Sequence, residues 1–347
     1  MDRRLLPFAA ALVALTTAVP AFAGAGKSTR SWAAPQIATV VSDGTFGVTD
    51  ATEFRPDDPF TRGDAAQVVA ALTQSESVAP ADPSTPVTMA GLDSRLVAAL
   101  GLSDSARSFA AGARAAGLVV PARFGTEVVA RLLGLRTNHP AAHDDLELLP
   151  NDPATRAEAA FSVARMLSLQ PWETQAVQDG ASTFSLPTLS PWQLRVLDVA
   201  VSLIGYPYVW GGTSEKAEAP FKVQARGGFD CSGFVWRVYK LQSYPGAPTL
   251  ASTLRGRSTF EMSGEVPKSE RIPFDALEPA DVLFFGAAGP KSKPAQVDHA
   301  GIYLGNGWFI HSSRYGVALA QLDGWYRDEF AWGRRPLAEA GLEGPAT

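Results

Sequence analysis

Five side chains pose the chemical question: Cys231, the only cysteine in 347 residues, and the four histidines His139, His143, His299 and His311. A lone thiol cannot close a disulfide within its own chain, which leaves a buried apolar group, an intermolecular link or a nucleophile. Cys231 stands in Gly-Gly-Phe-Asp-Cys-Ser-Gly-Phe-Val-Trp-Arg-Val-Tyr, ahead of a run in which Phe234, Val238 and Leu241 share one helical face. That spacing predicts a helix opening near Cys231 with this face buried. Free backbone N–H groups and the positive dipole end at a first helical turn favour a thiolate and can donate to an oxyanion. A nucleophile also needs a base. His139 and His143 lie in a Pro/Asp-rich stretch of the other half. His299 and His311 lie in the arms of a predicted β-hairpin around Gly305-Asn306-Gly307.

Register decides whether those two rings can meet. A two-residue Asn306-Gly307 loop pairs His311 with Ile302 and puts it on the face opposite His299. A three-residue loop, 305–307, pairs His311 with Gly301 and puts both rings on one face. Gly307 suits the bulge of the longer loop, and Gly301 leaves room for a ring. The three-residue loop is the expectation.

The surrounding elements follow from caps and breakers. Ser190-Pro191-Trp192-Gln193 carries three agreeing helix-start signals, so a helix should run to about Ile204 and stop at Gly205. Residues 190–338 then read as one α+β domain, with a tail at 339–347. Residues 46–168 are Ala-, Leu- and Val-rich with helical spacing. Within them Asp58-Pro-Phe-Thr61-Arg62-Gly-Asp64 resembles Asp152-Pro-Ala-Thr155-Arg156-Ala-Glu158. Each sets a Pro/Asp turn before a capping Thr with an acid three positions on, and Glu158 is the better-suited acid. Helical runs are predicted at 65–72, 126–135 and 159–168. Residues 24–45 and 169–189 lack periodicity and read as linkers.

The ends and the composition place the chain. Arg3-Arg4, an apolar run and Ala21-Phe-Ala23 read as a secretory signal peptide over 1–23. No other stretch approaches the roughly 18 apolar residues of a spanning helix. A net charge of −5 argues against nucleic acid, and binding to an anionic surface or wall polymer would need local basic sites. Gly24–Thr29 hints at a phosphate loop, but Ala21 stands where its first glycine belongs. His139 and His143 have a proline between them and no helix to align them, so no metal is expected, and no cofactor motif is found.

Tyr208-Val-Trp210-Gly-Gly, Asp230-Cys231-Ser232-Gly233, Ala280-Asp281-Val-Leu-Phe-Phe, His299-Ala-Gly-Ile-Tyr-Leu-Gly and Ile310-His311-Ser-Ser occur in this order. Together with Ala331-Trp-Gly-Arg-Arg they resemble the NlpC/P60 family of cell-wall cysteine peptidases, over nearly all of 192–337. The resemblance implies a papain-like fold, a nucleophile helix packed on an antiparallel sheet. It implies Cys231 as nucleophile, His299 as base, His311 as the residue orienting His299, and Tyr208 as an aid to the oxyanion. A thiolate–imidazolium pair with a lowered thiol pKa is expected. Asp230 should turn from the thiolate, to cap the helix or to meet a substrate ammonium. Asp230, Ser232 and Trp210 are candidate substrate contacts. Residues 215–226 exceed the family's usual spacing and should form a loop at the cleft rim. The Thr-Arg-Ala-Glu turns resemble the S-layer homology repeat, which implies a helical wall-anchoring module with Arg62 and Arg156 near an anionic wall polymer.

The combined expectation is an exported, envelope-associated hydrolase acting on peptidoglycan stem peptides. By the resemblance the bond is D-γ-glutamyl to a diamino acid. Two alternatives remain open: a Cys–His amidase or acyltransferase of the same fold, and a wall-binding scaffold without turnover.

Overall fold

The computed structural model describes residues 31–342; the signal-peptide and phosphate-loop readings fall outside these residues. The first half is helical: α1 (Ala34–Asp43), α2 (Arg62–Thr73), α3 (Met89–Ala99), α4 (Ser103–Ala115), α5 (Phe124–Leu132) and α6 (Arg156–Ser168). Three Pro-x-Thr turns tie it together through a ring of backbone hydrogen bonds. Phe60 N–H donates to the Ala154 carbonyl (2.7 Å), Ala154 N–H to that of Val87 (2.8 Å), and Val87 N–H to that of Phe60 (2.8 Å). Thr61, Thr88 and Thr155 then cap α2, α3 and α6. The turn at Val87-Thr88 is a third copy that the sequence hides, because Met89-Ala-Gly replaces the Arg-x-acid signature. The full capping box belongs to Thr61–Asp64. At the other copy Glu158 turns away to His139 (3.3 Å), reversing the expected order of the two acids.

Both predicted linkers contain helix. α1 lies within 24–45, and its Ile37 and Val40 are buried; with no capping side chain and mostly small residues it gives little signal. α7 (Pro171–Thr183) lies within 169–189. Its start is signalled by Pro171 and Glu173, but only Val177, Gly180 and Ala181 are buried, so it reads as polar. Phe184 just beyond it packs with Phe109 and Trp308 at ring-centroid distances of 5.1 and 5.2 Å. The supposed linker is thus a wedge between the halves.

The second half opens with α8 (Pro191–Ser202), boxed by Ser190 and Gln193 as predicted. A two-stranded ribbon, β1 (Thr213–Ser214) with β2 (Gly228–Phe229), precedes α9 (Cys231–Trp236). A five-stranded antiparallel sheet follows, in order β6-β5-β4-β3-β7: β3 (Val282–Phe285), β4 (His299–Gly305), β5 (Trp308–Ser313), β6 (Gly316–Gln321) and β7 (Phe330–Arg334). Helix α9 packs on β4 and β5. This is the α+β, papain-like arrangement of a nucleophile helix on an antiparallel sheet. Leu241 is 53% exposed, contrary to the helical-face reading. A π-helical turn over Arg237–Leu241 adds a residue and rotates position 241 off the core face, while Val238 and Tyr239 stay buried.

One apolar core runs from Ala33 to Leu337 through both halves. Helix α5 lies against β6. The Arg131 guanidinium joins them, bonding Glu127 (3.1 Å), the Gly205 carbonyl (2.7 Å) and the Tyr315 carbonyl. Arg123 adds bonds to the carbonyls of Ile204 (2.9 Å) and Ser202 (2.6 Å). Among the described residues no helix is long and apolar enough to cross a membrane.

Candidate active site

Cys231 is the first residue of α9, and Asp230 is its cap, accepting from Gly233 N–H at 2.5 Å. A Cβ on Gly233 would fall 1.9 Å from the Gly212 carbonyl oxygen. The glycines around the thiol therefore let the 205–212 segment cross the first turn of the helix at contact distance. The thiol is 8% exposed and lies 3.8 Å from the Asp298 carbonyl oxygen. Burial, then the Asp230 carboxylate, push its pKa up to about 12; the N–H groups of Ala300 and Ser232 and the Arg257 guanidinium pull less strongly the other way. This corrects the expected depressed thiol: the resting group is a neutral S–H. Alkylation of Cys231 by iodoacetamide should be slow at pH 7 and still rising at pH 10, followed by mass spectrometry; a plateau below pH 8 would contradict this protonation state.

His311 pairs with Gly301 and both rings project from one face, His299 Nε2 lying 2.7 Å from His311 Nδ1. The register matches expectation, but the device differs. The loop is the two-residue Asn306-Gly307, both at positive φ (50° and 79°), and a bulge between Tyr303 and Gly305 supplies the one-residue shift. A Cβ on Gly301 would sit 2.8 Å from Phe309 and 3.1 Å from His311. Gly301→Ala should therefore displace His311 and cost about 1–3 kcal/mol of stability in a denaturant melt. Burial lowers the His299 pKa to about 4 and that of His311 well below the ordinary value. Both rings are neutral near pH 7. With Nε2 engaged by His311, Nδ1 is the nitrogen of His299 left for proton transfer.

Cys231, His299 and Tyr208 line one cleft of about 840 Å³ with Trp325, Tyr326 and Asp298. Burial, Cys231 and Asp230 hold the Tyr208 hydroxyl protonated, well above its ordinary pKa, so it is a donor. Tyr326 stacks edge-on to His311 (5.3 Å) and Phe309 (4.9 Å), closing the far side of the imidazole pair.

Asp230 and Ser232 are not cleft residues. Arg257 binds both: its guanidinium lies 3.2 Å from each Asp230 oxygen and 2.6 Å from Ser232 Oγ, and also bonds the Gly211 and Gly212 carbonyls. Asp230 has no free oxygen for a substrate ammonium, since Gly211 N–H takes Oδ2 at 3.0 Å. Arg257 neutralises the carboxylate beside the thiol, a partner that a position 27 residues downstream without periodicity could not announce. Trp210 is 55% exposed outside the cleft lining. The 215–226 segment also stays out of the lining. Glu218 folds it back by accepting from Thr213 N–H (2.6 Å), and Glu215 pairs with Arg237 (2.7 Å).

The first half supplies a wall of the cleft instead. Asn138 and His139 line it. Asn138 Oδ1 accepts from Tyr208 N–H (3.0 Å), its Nδ2 donates to the Ser313 carbonyl (2.9 Å), and its own N–H donates to that of Arg314 (3.0 Å). Asp144 accepts from Trp210 N–H (3.3 Å). His139 is bound to Glu158 and edge-on to Trp32 (4.3 Å). No group of three or more potential metal ligands occurs among the described residues. Arg156 is 5% exposed, bonded to the Phe54 carbonyl (2.8 Å) and Asp64 (2.5 Å), with its cation over Phe54 (4.9 Å). It serves the fold and offers no face to a polymer. Arg62 pairs with Asp82 at 3.7 Å.

A buried cysteine on a helix N-terminus thus shares one cleft with a histidine hairpin on a papain-like fold. Residues 205–335 match the NlpC/P60 family model, and residues 26–66 match the S-layer homology domain model. Curated relatives include the "Probable peptidoglycan endopeptidase LytE" of Bacillus subtilis, 33% identical over 38% of this chain and 30% of that protein. The gamma-D-glutamyl-L-lysine dipeptidyl-peptidase of the same species is 29% identical over 36% and 33%. The murein DD-endopeptidase MepH of Escherichia coli is 34% identical over 33% and 34%. The chain thus spans about a third of these relatives. A solved NlpC/P60 family protein from Bacillus cereus is 25% identical, covering 44% of this chain and 42% of that one, with a TM-score of 0.32.

Proposed function

We propose that this chain is an exported cell-wall hydrolase that cleaves an amide bond in peptidoglycan stem peptides, with Cys231 as nucleophile. The observation that carries the reading is the His299–His311 contact of 2.7 Å in the cleft that also holds the Cys231 thiol. One relative named a probable peptidoglycan endopeptidase and another named a murein DD-endopeptidase support the substrate class. The bond favoured is D-γ-glutamyl to a diamino acid, in keeping with the dipeptidyl-peptidase relative.

Proton bookkeeping follows from the neutral resting pair. His299 Nδ1 takes the thiol proton as Cys231 Sγ attacks the scissile carbonyl, and the new C–S bond forms as the carbonyl becomes an oxyanion. The N-terminal N–H groups of α9 and the Tyr208 hydroxyl are the donors for that charge. His299, now an imidazolium held by His311, returns its proton to the leaving amine as the C–N bond breaks. Water then adds to the thioester, giving its proton to His299, and the thiol regains that proton as the acid leaves. Closing the cleft over substrate excludes water and strengthens the thiolate–imidazolium attraction that burial disfavours at rest.

The low His299 pKa has a sign. Protonation of His299 removes the base, so kcat/KM should fall with acid through a limb near pH 4 rather than near 6.5. A limb at 6.5 in the pH profile would show an imidazole of ordinary basicity and overturn the lowered His299 pKa.

The deciding experiment incubates the purified chain with peptidoglycan and identifies released fragments by mass spectrometry, beside Cys231→Ala. Fragments cut at one stem-peptide bond, absent with the variant, support the hydrolase and name the bond. Products carrying a new amide would instead indicate acyl transfer. Wall binding with no release from either protein would indicate a scaffold.

A further inference from the structure

A second cavity, of about 640 Å³, opens beside β7 and shares no lining residue with the catalytic cleft. Its charged lining is one-sided: Lys268, Arg271, Lys291 and Lys293 against Asp275 alone. Among the described residues no carboxylate pairs with any of these four cations. In a chain of net charge −5, with Arg62 and Arg156 of the first half already paired to Asp82 and Asp64, such a concentration is local by construction. Most lysine clusters are merely solvated faces. Two further features set this one apart.

Arg271 is held over the Trp332 ring. Its guanidinium carbon lies 3.5 Å from the centroid of the Trp332 ring, and among the described residues it donates no hydrogen bond. An arginine pre-positioned on an indole loses little rotamer freedom on meeting an oxyanion, and its planar fork suits phosphate or carboxylate. The cavity walls also hold three buried polar atoms without partners among the described residues: Arg271 Nε, Ser292 Oγ and Trp332 Nε1. Ser292 and Trp332 are 4% and 2% exposed. Unpaired buried donors are rare in native proteins and mark sites that something else completes. The Ser292 hydroxyl needs only one torsion to turn.

We propose that this cavity is a second ligand site, taking an oxyanion group, phosphate or carboxylate, of an anionic wall polymer. Arg271 forms the bidentate contact, and Lys268, Lys291 and Lys293 hold neighbouring charges along the polymer. The envelope attachment expected of Arg62 and Arg156 thereby moves to the catalytic half, on the sheet edge remote from β5 and β6. Ser292 and Lys293 lie in the β3–β4 connection, which ends at Asp298 and His299.

The test is direct binding of the full chain to inorganic polyphosphate and, separately, to polygalacturonate, by calorimetry at two salt concentrations. Saturable binding that weakens with salt is expected, with a loss of about tenfold or more in Arg271→Gln and in the exposed pair Lys291→Gln/Lys293→Gln. Arg62→Gln should leave it unchanged. Preference for one polymer names the group as phosphate or carboxylate. The double lysine variant guards against Arg271→Gln failing to fold. Absence of saturable binding to both polymers, or equal affinity in the double variant, would overturn the site. Because binding needs no turnover, its failure is separable from that of the hydrolase reading.

Discussion

Cys231→Ala should reduce stem-peptide cleavage to the uncatalysed background, and His299→Ala should lower kcat/KM by about 10²–10⁴-fold. The physical reason is that nothing replaces either group. Cys231 is the only thiol in the chain, and among the described residues lining the cleft the other imidazole, His139, is bound to Glu158. The alanine in place of the thiol removes one buried sulfur, so melting should change little and folded, inactive protein is the expected product. His311 acts through His299, which gives it a different signature. His311→Ala leaves Nε2 of the half-buried His299 ring without its 2.7 Å partner, whereas His311→Asn can restore a hydrogen bond. Partial recovery of kcat in the asparagine variant, with the acid limb moved, is the outcome expected of an orienting residue. Equal loss in both variants would point to a purely structural ring. Cleavage surviving in Cys231→Ala would sink the mechanism outright.

Separating the halves should be nearly as damaging. Arg131→Met is expected to destabilise the whole chain by about 3–5 kcal/mol, because it strands the Glu127 carboxylate, 0% exposed, without its ion pair. The same change leaves the Gly205 and Tyr315 carbonyls without their donor. Removing the first half altogether exposes the Trp308–Phe109–Phe184 contact and takes away Asn138, which fixes Tyr208 on one side of the cleft and Ser313 on the other. A fragment of residues 190–347 should therefore aggregate or show strongly reduced kcat on the same substrate. Asn138→Ala, a milder form of this test, should cost about 1–3 kcal/mol for the unpaired groups and lower kcat more than it raises KM. Denaturant melts and steady-state kinetics on the three proteins would check this. A fragment as stable and active as the full chain would show that the first half is a detachable anchor after all.

That modular picture is where sequence and structure part. Local chemistry was legible wherever the signal lies within a few residues. The Ser190–Gln193 box, the helix opening at Cys231 and the pairing of His311 with Gly301 all follow from caps, turns and alternation. So did the likeness to NlpC/P60 over residues 205–335, since its motifs are short and ordered. The bulge that sets the hairpin register has no local signature, because the same Gly-Asn-Gly serves either loop. The π-turn that turns Leu241 outward is likewise a choice made by packing against the sheet.

Longer-range features depend on groups that are distant in the chain. Arg257 meets Asp230 and Asn138 meets Tyr208 across 27 and 70 residues. The protonation state of the site follows the same rule. Residue types alone suggested an ionised pair, but pKa values answer to burial, and burial is a property of the assembled core. The sequence by itself determined which side chains are candidates for chemistry and the two turns that announce the first half. The tertiary structure decided what those atoms touch, how they are charged at rest, and that both halves build one cleft, because desolvation and cross-chain hydrogen bonds exist only once the chain has closed on itself.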